Sequence, residues 1–207
     1  MKLQLALDFS DMNENLRVLE ETADLVDIIE YGTGALIPNG YAGLKALRER
    51  YPEKTILCDQ KIMDGGYIFT EQQAECGADI VTVLAAAEDE TIMLAVKAAR
   101  EKKIKVMADL CGVKESLKRA EEIKKLGVDY ICVHMATDGS HEKSGAPVLQ
   151  KISDRLGNKI CAIAGSDTPE KCREIKKLEP GIVIVGSYIT KAENCRKAAE
   201  QIRNALK

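Results

Sequence analysis

Thr55-Ile56-Leu57-Cys58 runs straight into Asp59-Gln60-Lys61-Ile62-Met63-Asp64 and then Gly65-Gly66. A short apolar run bounded by polar and glycine residues reads as a strand buried on both faces. Its C-terminal end then carries two carboxylates that bracket a lysine. Charges placed there are either solvated in a turn or gathered for chemistry, and this stretch alone does not separate the two. The deciding question is whether other strands end in the same way.

They do. Residues 3–7 end at Asp8, 26–29 at Glu30, 104–108 at Asp109 and 130–133 at His134. Residues 159–164 end at Gly165 and 182–185 at Gly186, while 79–84 has an apolar end. Between these runs lie helical patterns over 12–23, 43–50, 91–102, 115–126 and 194–206. Another helix is opened by Thr168 as N-cap with Pro169 in its first turn. Eight apolar runs alternating with amphipathic helices predict a parallel sheet. Eight units with no spare strand fit a single-domain (β/α)8 TIM barrel over residues 1–207, with a doubly wound open sheet as the rival.

Composition narrows the function. Of 207 residues 45% are hydrophobic and 30% charged, as expected for a globular chain with a core. A net charge of −3, few aromatics and no tryptophan give no footprint for a nucleic-acid partner. No apolar run approaches the ~20 residues of a membrane span, and residues 1–5 hold no signal-peptide core. Seven cysteines (Cys58, Cys76, Cys111, Cys132, Cys161, Cys172, Cys195) contain no C-x-x-C pair, which points away from disulfides and zinc. A cytoplasmic enzyme is the expectation.

In a barrel all C-terminal strand ends meet on one face, where barrel enzymes work. Glu30 and Asp59, from adjacent strands, are hard oxygen ligands suited to Mg²⁺ with positions left for water and substrate, unless each only pairs with Lys61. Lys61, between Asp59 and Asp64, is expected to stay protonated and to stabilise a developing oxyanion or donate a proton. His134 is the natural general base near neutral pH. Gly165-Ser166 and Gly186-Ser187 follow the last two strands, where barrels commonly bind phosphate through backbone N–H groups. The residues alone therefore suggest a sugar-phosphate enzyme that stabilises an enediolate on a metal.

The motifs LQLALD (residues 3–8), DIIEYGT (27–33), DQKIMDGG (59–66), GADIVTVL (77–84), GVDYICVH (127–134) and IVGSYIT (184–190) carry a resemblance over essentially the whole chain. The sequence is similar to the orotidine-5′-monophosphate decarboxylase superfamily, in particular its metal-dependent branch. Glu30 marks that branch, since the nucleotide decarboxylases carry lysine at this strand end. The resemblance implies that Glu30 and Asp59 hold Mg²⁺, that Asp8 and Lys61 join the same polar network, and that His134 transfers the proton. It further implies a homodimer in which Asp64 reaches the partner's site, and phosphate held at Gly165, Ser166, Gly186 and Ser187.

The branch contains 3-hexulose-6-phosphate synthases and 3-keto-L-gulonate-6-phosphate decarboxylases. Asp109, Thr137 and Ala164 look more like the synthase pattern, with Asp109 and Thr137 expected among the substrate-binding residues, so condensation of ribulose 5-phosphate with formaldehyde is the expected reaction. Decarboxylation is the alternative, and a non-catalytic phosphosugar-binding barrel is a third. Three segments depart from the family pattern: Gly34 stands where proline is usual, residues 135–140 differ, and Ser166-Asp167 replaces a glycine pair.

Overall fold

A computed structural model describes residues 1–134, 145–165 and 168–207. Eight parallel strands close on themselves in sequence order, so that β1 pairs with both β2 and β8. The strands are β1 (Lys2–Leu7), β2 (Ile28–Tyr31), β3 (Thr55–Ile62), β4 (Ile80–Leu84), β5 (Lys105–Asp109), β6 (Tyr130–Val133), β7 (Cys161–Ile163) and β8 (Ile182–Val185). The helices are α1 (Met12–Thr22), α2 (Thr33–Arg50), α3 (Gly66–Glu75), α4 (Asp89–Lys102), α5 (Ser116–Leu126), α6 (Ala146–Leu156), α7 (Pro169–Lys176), α8 (Ser187–Thr190) and α9 (Cys195–Leu206). This is the (β/α)8 barrel that the spacing predicts, and it replaces the open-sheet rival.

Strand side chains alternate between the helix-facing and barrel-facing sides. The barrel interior is plugged by Ala6, Ile28, Leu57, Ile80, Met107, Cys132, Ala162, Ile182 and Ile184. A larger cluster, including Leu3, Leu5, Ile29, Ile56, Val81 and Val106, packs the outer strand faces against the helices. Two residues beyond the plug, the same strands present Asp8, Glu30, Asp59, Thr82, Asp109 and His134. The period of two thus stacks a polar layer directly over an apolar one. Strands buried on both faces hide this alternation in the sequence, because inner and outer positions are both apolar below the mouth.

Several boundaries differ from the sequence expectation. β3 runs four residues past Cys58, so Asp59 and Lys61 belong to the strand itself. Its pairing with β4 slips between Cys58 and Ile62, where Cys58 faces Val81 but Ile62 faces Val83. α2 begins at Thr33 rather than near residue 43 and breaks at Gly40, whose φ is +56°. The hydroxyl of Tyr31 bridges the break, donating to the Gly40 carbonyl at 2.9 Å. α3 has no one-sided apolar pattern, since Ile68 and Phe69 lie on its outer surface. Among the described residues, no helix is long and apolar enough to cross a membrane.

Candidate active site

The mouth is built around β3. Asp59 is buried, and both its oxygens are engaged: Oδ1 accepts from Thr82 Oγ1 at 2.8 Å and Oδ2 from Thr33 Oγ1 at 3.0 Å. The Lys61 ammonium makes a short ion pair to the same Oδ2 and lies 3.9 Å from Asp109 Oδ2. Lys61 has φ +53°, a conformation in which a non-glycine residue is uncommon. The slipped register creates it, and Thr82 Oγ1 caps the displaced Lys61 N–H at 2.9 Å. A bulge that re-aims a side chain beside a site is a recurrent device. Burial pulls the Lys61 pKa down, but Asp59, Asp109 and Glu30 outweigh it and raise it above the ordinary lysine value. The expectation that Lys61 stays protonated follows from that balance.

Glu30 is buried on β2, where Gln4 Nε2 donates to its Oε2 at 2.5 Å. Burial pushes its pKa up to about 8, with the charges of Asp59 and Asp8 adding to the rise and Gln4 and Lys61 opposing it. Two carboxylates on the adjacent strands β2 and β3, each raising the cost of charging the other, form an oxygen donor pair that a hard cation would neutralise. Among the described residues no group of three or more His, Cys, Asp and Glu side chains is arranged to enclose a metal. What Glu30 and Asp59 offer is two carboxylate groups from adjacent strands, hard oxygen donors of the kind that Mg²⁺ takes.

His134 follows β6, and its Nδ1 lies 2.8 Å from Asp109 Oδ2. Asp109 is buried, and its Oδ1 accepts the Cys111 N–H at 2.8 Å. A carboxylate only accepts, so the neutral imidazole that faces it carries its proton on Nδ1 and its lone pair on Nε2. The sequence placed Asp109 among the substrate-binding residues; in the fold it is also the orienting partner of His134. Asp8, at the exposed rim, accepts the Gly34 N–H at 3.0 Å. A proline at 34 could not make that bond, and a Cβ there would come within 2.5 Å of the Asp8 carbonyl.

Asp64 lies on the exposed surface, away from this cluster of contacts, with Oδ1 accepting the Gly65 N–H at 2.7 Å. Gly165 has φ +83°, so its turn requires glycine. Gly186 has φ −117°, and a Cβ there would meet Ala6 only at 3.7 Å, so packing inside the chain does not explain the absent side chain. Ser187 opens α8 and is exposed. Thr137, Ser166 and Asp167 lie outside the described residues.

Gln4, Thr33 and Thr82 escaped the sequence reading. Each donates to one of the two candidate metal carboxylates. The available signal was a polar residue within an apolar run at an inward position, Gln4 between Leu3 and Leu5 and Thr82 between Val81 and Val83.

Residues 1–202 match the model of the orotidine 5′-phosphate decarboxylase / HUMPS family. The 3-hexulose-6-phosphate synthase of Bacillus subtilis strain 168 is 38% identical over 207 residues, covering 100% of this chain and 99% of that one. The crystal structure of 3-hexulose-6-phosphate synthase from Salmonella typhimurium is similar with a TM-score of 0.94 at 35% identity, over 100% of this chain and 98% of that one. That of 3-keto-L-gulonate-6-phosphate decarboxylase from Vibrio cholerae has a TM-score of 0.88 at 27% identity, over 99% and 96%. Similarity of this extent, on a barrel whose mouth gathers Glu30, Asp59, Lys61, Asp109 and His134, shows that the chain belongs to the orotidine 5′-phosphate decarboxylase / HUMPS family.

Proposed function

We propose that the chain is a 3-hexulose-6-phosphate synthase, a carbon–carbon lyase of the aldehyde-lyase class. Its substrates would be D-ribulose 5-phosphate and formaldehyde, its product D-arabino-hex-3-ulose 6-phosphate, and its cofactor Mg²⁺. The carrying observation is the 2.8 Å contact of His134 Nδ1 with Asp109, beside the Lys61–Asp59 ion pair. It leaves His134 Nε2 as the base that takes a proton from C1 of the sugar phosphate. The Lys61 ammonium, held charged by its carboxylate neighbours, donates to the oxygen on which negative charge develops. C1 then forms the new bond to the formaldehyde carbon, and the proton held by His134 returns to the resulting alkoxide. Glu30 and Asp59 would hold Mg²⁺, which when bound supplies further positive charge for the developing oxyanion.

Gly165, Ser166, Gly186 and Ser187 are assigned to the phosphate, for which the unforced glycine at 186 is the best support. The named synthases, at 38% and 35% identity against 27% for the decarboxylase, favour the aldol reaction. A homodimer belongs to the same reading. Exposed Met63, Ile68 and Phe69 surround Asp64 in sequence, and Ile37, Met93 and Leu94 add to the exposed apolar surface of the neighbouring helices. Apolar exposure on this scale marks a contact surface, and Asp64 would project from it toward the partner's mouth. A cytoplasmic setting is supported by seven cysteines that contain no C-x-x-C pair.

With Mg²⁺ present, the purified chain should consume ribulose 5-phosphate only when formaldehyde is added, and EDTA should abolish the reaction. Release of CO₂ from 3-keto-L-gulonate 6-phosphate without formaldehyde consumption would assign the decarboxylase reaction instead. Binding of sugar phosphates with no turnover would leave a non-catalytic barrel.

A further inference from the structure

We propose that Gln4 is a positioning residue for Glu30 and thereby sets the metal affinity of the barrel mouth. Gln4 has no exposed surface. It is level with Ile28 on one neighbouring strand and Ile184 on the other, both members of the apolar plug. A polar amide in such surroundings is costly unless it is hydrogen-bonded, and leucine or methionine would fill the space without that cost. Among the described residues the amide makes one hydrogen bond, donated from Nε2 to Glu30 Oε2 at 2.5 Å. Its other polar atom, Oε1, is buried and has no partner among the described residues. The side chain thus carries an unsatisfied acceptor for the sake of a single donor, and that donor is aimed at one carboxylate oxygen.

The geometry indicates what this accomplishes. Glu30 stands one inward step above the plug, and among the described residues nothing donates to its Oε1. With Oε2 tethered from below by Gln4, the carboxylate is held in one orientation and Oε1 remains available at the mouth. Asp59 is fixed in a similar way by Thr82 and Thr33. Each member of the proposed ligand pair is therefore oriented by its own donors, and such supporting contacts typically change metal affinity 10–100-fold when removed. The inference rests on the metal reading of Glu30 and Asp59 given above.

The test is binding of Mn²⁺, as a probe for Mg²⁺, to the metal-free full-length chain, followed by calorimetry or by the electron paramagnetic resonance signal of free Mn²⁺. Gln4→Met keeps the length and removes the donor; Gln4→Asn keeps an amide but is one methylene too short. Both should bind Mn²⁺ about tenfold more weakly than the wild type, while the melting temperature of the metal-free Gln4→Met variant stays near the wild-type value. Wild-type affinity in either correctly folded variant would overturn the proposal. So would a large fall in melting temperature in both variants, because that would make Gln4 a general packing residue. A wild-type chain that binds no Mn²⁺ would instead remove the metal reading on which the proposal depends.

Discussion

At the scale of single residues, the site separates a proton-handling pair from a charge-holding pair. His134→Ala removes the only nitrogen base in the proposed mechanism and should lower kcat by about 10²–10⁴-fold, with substrate binding largely kept. Asp109→Asn leaves the shape but allows an amide N–H to face Nδ1, which favours the unproductive tautomer. Its loss should fall chiefly in kcat, and an unchanged kcat in a folded Asp109→Asn protein would remove the orienting role. Glu30 gives a different observable. The folded chain holds its proton to about pH 8, against an ordinary value of 4.5. Its contribution to stability in the metal-free protein is thus fully present below pH 4.5 and is lost as pH rises through 8. Melting temperatures in EDTA should fall across that window more steeply for the wild type than for Glu30→Gln. Parallel profiles for the two proteins would contradict this, and added Mg²⁺ should remove the decline in the wild type.

At the scale of elements, the α3–α4 contact and the end of β3 decide how well the mouth is held. A Cβ on Gly66 would lie 2.0 Å from the Thr91 carbonyl oxygen, so α3 opens directly against the backbone of α4. Gly66→Ala should destabilise the fold by about 1–3 kcal/mol in urea unfolding, as overpacking does. The sequence revealed all eight strands because each is a compact apolar run, and it placed the start of α7 through Thr168 as N-cap. It revealed Asp8, Glu30, Asp59, Asp109 and His134 because each ends such a run. It did not reveal the slip in β3, since a bulge depends on which residue of β4 lies opposite and no periodicity records that. Nor did it bring Gln4 and Thr82 to notice: in a strand covered on both faces, one polar residue among apolar ones resembles noise until the barrel closes. The Asp109–His134 contact spans adjacent strands, so strand order predicts the neighbourhood but not the bond.

At the scale of the whole molecule, the exposed large apolar side chains among the described residues, Met1 apart, lie on the consecutive helices α2, α3 and α4 and in the turn after β3. Ile68 is 52% and Met63 53% exposed in the single chain. On the proposed dimer, replacing Ile68 with aspartate should yield monomers in sedimentation experiments, and activity should fall with dimer content because the proposed reach of Asp64 into a second mouth would be lost. Full activity in a monomeric variant would disprove that shared-site arrangement. The cysteines extend the argument to chemical resistance. Cys58, Cys132, Cys161, Cys172 and Cys195 are buried, and burial holds the thiols of Cys58, Cys132, Cys161 and Cys195 above the usual range. Only thiolates are strong nucleophiles. A protein proposed to handle formaldehyde thus keeps most of its own sulfur sealed from electrophiles. A thiol reagent should label at most Cys76 and Cys111 quickly in the native chain, and reach all seven only after unfolding. The barrel that concentrates reactivity at its mouth also serves as armour for the rest of the polypeptide.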